Sequence, residues 1–138
     1  MEEKDMQRKY LQMQLMKQQL NGLLEEKSIL DEKRSEIMIS IEATKKLGSI
    51  GKGQEIWAPL GSAAFARSDI KDTEKVMIGI GAGVVVERNK DDAVGILEQR
   101  LGELDELDHT MTAEINKFSD QITNIEIELQ KAAQQENK

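Results

Sequence analysis

Few residues in this sequence could do chemistry, and their spacing does not fit a catalytic site. Residues 79–83 (GIGAG) are rich in glycine, but their spacing is not that of a dinucleotide-binding loop and no strand–helix–strand unit surrounds them. Residues 51–53 (GKG) lack the following Ser or Thr of a phosphate-binding loop. His109 is the only histidine and cysteine is absent, so a His/Cys zinc site cannot be built. We therefore expect no enzyme activity, no cofactor and no metal site, and we interpret residues 79–83 as a hairpin turn.

The strongest pattern in the sequence is a heptad repeat at each end. From Val94 to Ala132, apolar residues recur at alternating steps of three and four, with one interruption at Asp108. A mean spacing of 3.5 residues keeps one seam of a helix facing a partner helix. A second seam begins at Met6 and includes Ile41, and its breaks are Lys9, Lys27, Arg34 and Thr44. The ends of the chain therefore predict two long coiled-coil helices.

The middle of the chain has the composition of short strands. The runs 55–60, 64–69, 75–80 and 84–88 contain Ile, Trp, Phe and Val, and turn residues separate them. This arrangement predicts two β-hairpins, and Pro59, which has no amide hydrogen, favours an edge position for its strand. The expected fold is α+β: residues 1–47 form the first coiled-coil helix, 48–90 the two β-hairpins, and 91–138 the second helix. Since two helix ends cannot cover so many apolar strand residues, we expect the strands to pair with other chains.

Local signals mark the helix ends. Lys45 and Lys46 complement the helix dipole, and Gly48 can adopt the left-handed conformation that closes a helix. Asn89 is a suitable N-cap for the second helix, which Asp91 and Asp92 follow in the first turn.

An antiparallel register follows from the two seams. When residues whose numbers add up to 138 are paired, Met13 meets Ile125 and Leu20 meets Phe118. The polar breaks then gather, because Asp108 lies between Lys27 and Arg34. We expect these three residues to form a register-fixing cluster, which is partly buried if their side chains do not each turn outward to solvent.

The free end of the predicted coiled coil carries apolar residues that lie off the seam. Leu11 and Leu15 are four residues apart on another helix face, and Ile127 is at the height of Leu11 in this register. Exposed apolar residues that gather in one place indicate a contact surface, although scattered ones are ordinary.

The charge distribution limits the classes of partner. The formal net charge is −7, and residues 91–138 carry twelve acidic and four basic side chains. This argues against binding to a nucleic-acid backbone, which requires clustered Lys and Arg. No run of about 18 apolar residues is present, so we expect no membrane span. The absence of cysteine fits a reducing cytoplasm.

The central residues resemble one known family. Residues 55–61 (EIWAPLG) and 72–87 (DTEKVMIGIGAGVVVE) are similar to the prefoldin alpha family of archaea, and the resemblance covers nearly the whole chain. It implies that two alpha and four prefoldin beta subunits join their hairpins into an intersubunit β-barrel. It also implies that the coil tips hold unfolded client proteins and pass them to a group II chaperonin without ATP.

The resemblance assigns two sets of residues. The assembly platform would use Ile56, Trp57, Leu60, Phe65, Ile70, Val76, Ile78, Ile80, Val84 and Val86. The client-binding tips would use Met6, Tyr10, Leu11, Met13, Leu15, Met16, Ile125, Ile127 and Leu129. The main alternative is a coiled-coil scaffold or adaptor that binds one specific folded partner. A nucleotide-dependent enzyme subunit that uses the glycine-rich run is a more distant one.

Overall fold

The computed structural model describes residues 2–136. Residue 1 and residues 137–138, which the expected end segments included, lie outside the described residues. The elements are α1 (Glu3–Leu47), β1 (Glu55–Gly61), β2 (Ala64–Asp69), β3 (Lys75–Gly81), β4 (Val84–Asn89) and α2 (Lys90–Glu136). The expected α+β fold, with two long helices and two β-hairpins between them, is confirmed. Within residues 2–136, no helix is long and apolar enough to cross a membrane.

The chain divides into two compact units, to which both helices contribute. The first unit comprises Met1–Lys33 and Leu104–Lys138, and the second is Arg34–Glu103. Among the described residues, the first unit therefore contains the beginning of α1, the end of α2 and no strand, whereas the second contains the end of α1, the beginning of α2 and all four strands.

Apolar packing in the first unit follows the predicted antiparallel register. Met13, Met16 and Ile122 form its buried core. Leu20, Phe118, Ile125 and Leu129 pack against this core and are partly buried. The pairs Met13–Ile125, Met16–Ile122 and Leu20–Phe118 all have residue numbers that add up to 138.

Ion pairs between the helices accompany the same register. In the first unit Lys9 pairs with Glu128, and Lys17 Nζ lies 3.2 Å from Glu126 Oε1. In the second unit Lys45 Nζ lies 3.6 Å from Glu98 Oε1. Exposed pairs of this kind contribute little stability individually, but they place opposite charges beside the seam and so disfavour other registers.

The helix ends are closed by local hydrogen bonds. Asn89 Oδ1 accepts a hydrogen bond from the backbone amide of Asp92 at 2.8 Å, which confirms the predicted N-cap. The end of α1 differs from the expectation, since Gly48 is not among the glycines with a positive φ. The turn is instead closed by a hydrogen bond from the Ser49 amide to the Lys46 carbonyl at 2.9 Å. A Cβ at Gly48 would meet Lys90 Nζ, which is the end of a flexible side chain and can move aside at small cost.

Each hairpin is a separate two-stranded antiparallel sheet. In the first, Glu55 is opposite Asp69 and Gly61 is opposite Ala64, with an irregularity between Pro59 and Gly61. The second repeats this register and has its irregularity between Gly79 and Gly81. Because β1 has a partner on one side only, Pro59 is tolerated there.

Candidate functional site

The beginning of α1 and the end of α2, which both belong to the first unit, each carry exposed apolar side chains. We call Tyr10, Leu11, Leu15 and Ile127 the end surface; Leu11 is 61% exposed and Ile127 44% exposed. Leu11 and Leu15 are one helical turn apart, so their side chains share a face of α1. Beside them a cavity of about 710 Å³ is lined by Glu3, Met6, Gln7, Tyr10 and Leu129.

Burial narrows the set of residues that the sequence assigned to client binding. Met13 and Met16 are buried against Ile122, because they occupy the seam between the helices. These two methionines therefore stabilise the packing of the helices and are not accessible to a client in this structure. Ile125 and Leu129 are half-buried against the same core, and Met6 is also half-buried.

The hairpins carry a second apolar surface. Ile56, Trp57, Leu60, Phe65, Ile80 and Val84 are exposed, whereas Val76 and Val86 are half-buried and Ile70 and Ile78 are buried. Ile70 and Ile78 therefore stabilise the second unit itself, and the other eight residues are available in full or in part to another chain. Each sheet also has free strand edges, whose backbone groups can pair with further strands.

Trp57 and Arg67 form an anchor on the first hairpin. They are opposite each other in the β1–β2 register, and the guanidinium carbon of Arg67 lies 5.2 Å from the centroid of the Trp57 ring. Arg67 Nε is also 4.0 Å from Glu55 Oε2. An arginine held over an exposed tryptophan is a combination often found at the centre of protein interfaces. Sequence reasoning did not identify Arg67. The signal was available, because Trp57 and Arg67 lie five positions before and after Ser62 in the turn, so a tight hairpin places them opposite each other.

One charged pair lies between the two helices of the first unit. Lys27 Nζ is 3.0 Å from Asp108 Oδ1, and the two side chains are 29% and 23% exposed. Lys27 also pairs with Asp31 one turn along α1, at 3.2 Å. The hydrogen bond with Asp108, followed by that with Asp31, raises the pKa of Lys27 above its usual value. Arg34 belongs to the second unit, and its place in a register-fixing cluster stays a prediction.

The groups considered for chemistry are dispersed. His109 is exposed on α2, and residues 79–83 form the end of β3 and the turn into β4 as predicted. In that turn Gly81, Ala82 and Gly83 have φ values of 118°, 52° and 75°. In residues 2–136, no group of three His, Cys, Asp or Glu side chains is placed to hold a metal ion. The exposed surfaces described above favour apolar contact and strand pairing.

The comparison with protein families decides between the alternatives. The family model described as prefoldin subunit matches residues 16–135, which include most of both helices and all four strands. The chain belongs to the prefoldin family. Prefoldin is a family of chaperones and not of enzymes, and the chain has the co-chaperone function of the family.

Individual prefoldins give the same result. The chain is 30% identical to prefoldin subunit alpha of Methanococcus vannielii over 94% of its length and 86% of that protein. It is 34% identical to prefoldin subunit alpha of Thermofilum pendens over 67% of this chain and 71% of that protein. The alpha-type resemblance of the central residues is therefore confirmed across most of the sequence.

Solved prefoldin structures share the fold. The filamentous prefoldin of Methanocaldococcus jannaschii, solved by cryo-EM, has a TM-score of 0.70 at 22% identity, covering 83% of this chain and 95% of that one. The prefoldin beta subunit of Thermococcus strain KS-1 has a TM-score of 0.62 at 16% identity, covering 93% and 91%.

Proposed function

We propose that this chain is the alpha-type subunit of an ATP-independent co-chaperone, which holds unfolded proteins at the end surface and transfers them to a group II chaperonin. The observation that supports this most directly is the group of exposed apolar residues at the paired helix ends. Tyr10, Leu11, Leu15 and Ile127 are each exposed, while the seam between the two helices is packed. An exposed apolar group on a packed support fits a binding role better than a structural one.

The hairpins are the proposed assembly platform. We propose that two copies of this chain and four prefoldin beta subunits join their hairpins into a β-barrel in the cytoplasm. The support is the free edges of two separate two-stranded sheets and their exposed apolar side chains. An isolated two-stranded hairpin is marginally stable, so strands from other subunits would stabilise both.

Weak contacts at several end surfaces account for holding and release without a nucleotide. Full burial of one aliphatic side chain contributes about 1.5–3 kcal/mol, and the end surface offers only a few such side chains. One subunit would therefore bind a client weakly, whereas several subunits in one complex raise the effective concentration of each further contact. Because each contact is weak, the client can leave one surface at a time. No catalytic step is required, so we propose that the chain is not an enzyme.

The proposal predicts that polar substitutions at the end surface impair holding and leave assembly intact. The test variant is Leu11→Ser with Ile127→Ser, assembled with beta subunits and assayed for suppression of aggregation of chemically denatured lysozyme. The matched control is Ile29→Ser with Leu24→Ser. Ile29 and Leu24 are 61% and 46% exposed, against 61% and 44% for Leu11 and Ile127, so both variants remove similar exposed apolar area from the helices.

We expect at least a severalfold loss of aggregation suppression in the end-surface variant and none in the control. Equal suppression by wild type and the end-surface variant, or equal loss in both variants, would refute the assignment of this surface. A complex that holds no denatured lysozyme but binds one folded protein would favour the adaptor function instead.

A further inference from the structure

A groove lies beside the seam between the two helices of the second unit. Its volume is about 520 Å³, and both helices contribute to its walls. The lining residues are Ser35, Met38, Ile39, Ile41 and Glu42 from α1, and Glu98 and Leu101 from α2. All of them belong to the second unit, and none is among the residues assigned to client binding or to assembly.

The groove has an apolar lining that is largely uncovered. Met38 and Ile39 are 53% and 67% exposed, whereas Ile41 is buried and Leu101 is half-buried. Ile41 and Leu101 are seam residues, so the two exposed side chains extend the apolar surface outward from the seam. A volume of this size is typical of sites for small groups. The groove therefore fits a few side chains of an extended chain and not the face of a folded domain.

Two glycines keep one side of α2 free of bulky side chains. Gly95 and Gly102 are three residues before and four residues after Glu98, so the three residues share one face of the helix. A Cβ at either glycine would meet no side chain within 4 Å beyond those of its two chain neighbours. Glycine inside a helix lowers its stability relative to alanine. This cost is accepted twice on the face that borders the groove.

The charged residues that line the groove are both acidic. Glu42 and Glu98 are exposed, one on each helix. Glu98 Oε1 lies 3.6 Å from Lys45 Nζ, whereas Glu42 forms no ion pair within residues 2–136. An occupant that carries a positive charge beside an apolar group would complement this lining, since complementary charge gives a contact its specificity.

We propose that this groove, which we call the acidic groove, binds segments of an unfolded client in which an apolar side chain lies next to a lysine or arginine. The proposal rests on the proposed client-holding function and adds a second class of contact to the end surface. The apolar side chain packs on Met38 and Ile39, and the cation lies beside Glu42. An unfolded chain presents such segments, whereas a folded protein keeps most of its large apolar side chains inside.

The test uses the complex assembled with beta subunits and a pair of short fluorescent peptides. One peptide contains Leu, Lys, Gly and Ser, and the other has Glu in place of each Lys. We expect wild type to bind the lysine peptide at least about fivefold more tightly by fluorescence anisotropy. Glu42→Lys should remove most of this preference, because it puts a cation in the groove. Met38→Ser/Ile39→Ser should weaken binding of the lysine peptide, because it removes the apolar contact.

The matched control is Glu36→Lys. Glu36 is exposed on α1 and does not line the groove, so this variant makes the same change in net charge at another place. It should keep the preference of wild type. The end-surface variant Leu11→Ser/Ile127→Ser should also keep the preference while it loses suppression of lysozyme aggregation. Failure of the acidic groove and failure of the end surface can thus be told apart.

Cysteine labelling reports whether the groove itself is occupied. The chain has no cysteine, so Ser35→Cys puts its only thiol in the groove, and Ser40→Cys puts one on another face of α1. In the assembled complex we expect N-ethylmaleimide to modify both thiols, as measured from the mass of this chain. The lysine peptide should slow modification severalfold at position 35 and not at position 40.

Each contrary result overturns the proposal. Equal binding of the two peptides by wild type, or equal loss of preference in Glu42→Lys and Glu36→Lys, would show that the charge of the groove does not select the client. Unchanged binding by Met38→Ser/Ile39→Ser would exclude the apolar contact. A Ser35→Cys thiol that reacts in the free chain and not in the complex would show that another subunit covers the groove.

Discussion

Lys27 Nζ lies 3.0 Å from Asp108 Oδ1, which joins α1 to α2 through the seam positions that break both heptad repeats. Each break alone is unfavourable, because a coiled-coil seam prefers apolar residues. Together the two breaks satisfy each other only in this register, since a slip of one heptad would separate the charges by about 10 Å. The pair therefore has a specificity role, while the apolar core around Ile122 stabilises the unit.

Removing one partner of this pair should destabilise the first unit. Asp108→Asn keeps the shape of the side chain but leaves the Lys27 ammonium without its interhelical carboxylate. We expect a lower Tm by thermal circular dichroism, because Lys27 keeps Asp31 on its own helix but loses the carboxylate that joins it to α2 at a partly buried position. The control is Asp120→Asn, which removes a charge from an exposed position on the same helix. A Tm equal to that of wild type in Asp108→Asn would show that both side chains are hydrated independently.

The sequence predicts those features of the structure that are determined by residues close together in the chain. The helices, the four strands and the Asn89 cap follow from periodicity and turn residues, which act within a few positions. Pairing of the seams was also predictable, because Met13, Leu20 and Phe118 have few alternatives in an antiparallel register. The burial of Met13 and Met16 was not predictable, since a stripe of methionines along a helix can form either a core or a binding surface. The stack of Arg67 on Trp57 depends on the exact hairpin register, which the sequence leaves open.

Asp72 should contribute a pH-dependent part of the stability of the second unit. Its Oδ1 accepts hydrogen bonds from the backbone amides of Glu74 at 2.8 Å and Lys75 at 3.1 Å. These hydrogen bonds lower the pKa of the Asp72 carboxyl below 3.8, and the bond from Glu74 has the larger effect. Since the folded-state pKa is lowered, the stabilisation is present above pH 3.8 and is lost as the pH falls through the folded value. The pKa itself can be measured by NMR titration of the carboxyl carbon.

The corresponding variant gives a second measurement. Asp72→Ala should lower the Tm at pH 7, and the difference from wild type should shrink as the pH falls below the folded-state pKa. A Tm difference that is the same at pH 7 and pH 2 would contradict a role for the ionised carboxylate.

Ile122 and Ile127 separate stability from binding on one helix. Ile122 is 7% exposed and lies in the core with Met13 and Met16, so Ile122→Ala should cost about 2–4 kcal/mol of unfolding free energy. Ile127 belongs to the exposed end surface, and Ile127→Ala should change this free energy by less than about 0.5 kcal/mol. Denaturant unfolding of both variants in one buffer measures the contrast. Similar costs at the two positions would mean that the end surface is part of the packed core.

The equivalence of the hairpin turns predicts substitutions with opposite effects. Ala63 has a φ of 63° and its counterpart Gly83 a φ of 75°, so both positions are left-handed but only one has glycine. A left-handed conformation costs a residue with a Cβ about 1–2 kcal/mol, and glycine in the unfolded chain offsets part of any gain. Ala63→Gly should therefore raise the unfolding free energy by about 0.5–1 kcal/mol, and Gly83→Ala should lower it by a similar amount. A Cβ at Gly83 would have no heavy atom within 4 Å beyond its own residue and its two chain neighbours, so strain and not collision would cause the loss. Chemical denaturation of the two variants tests the pair, and equal signs would show that the two turns are not equivalent.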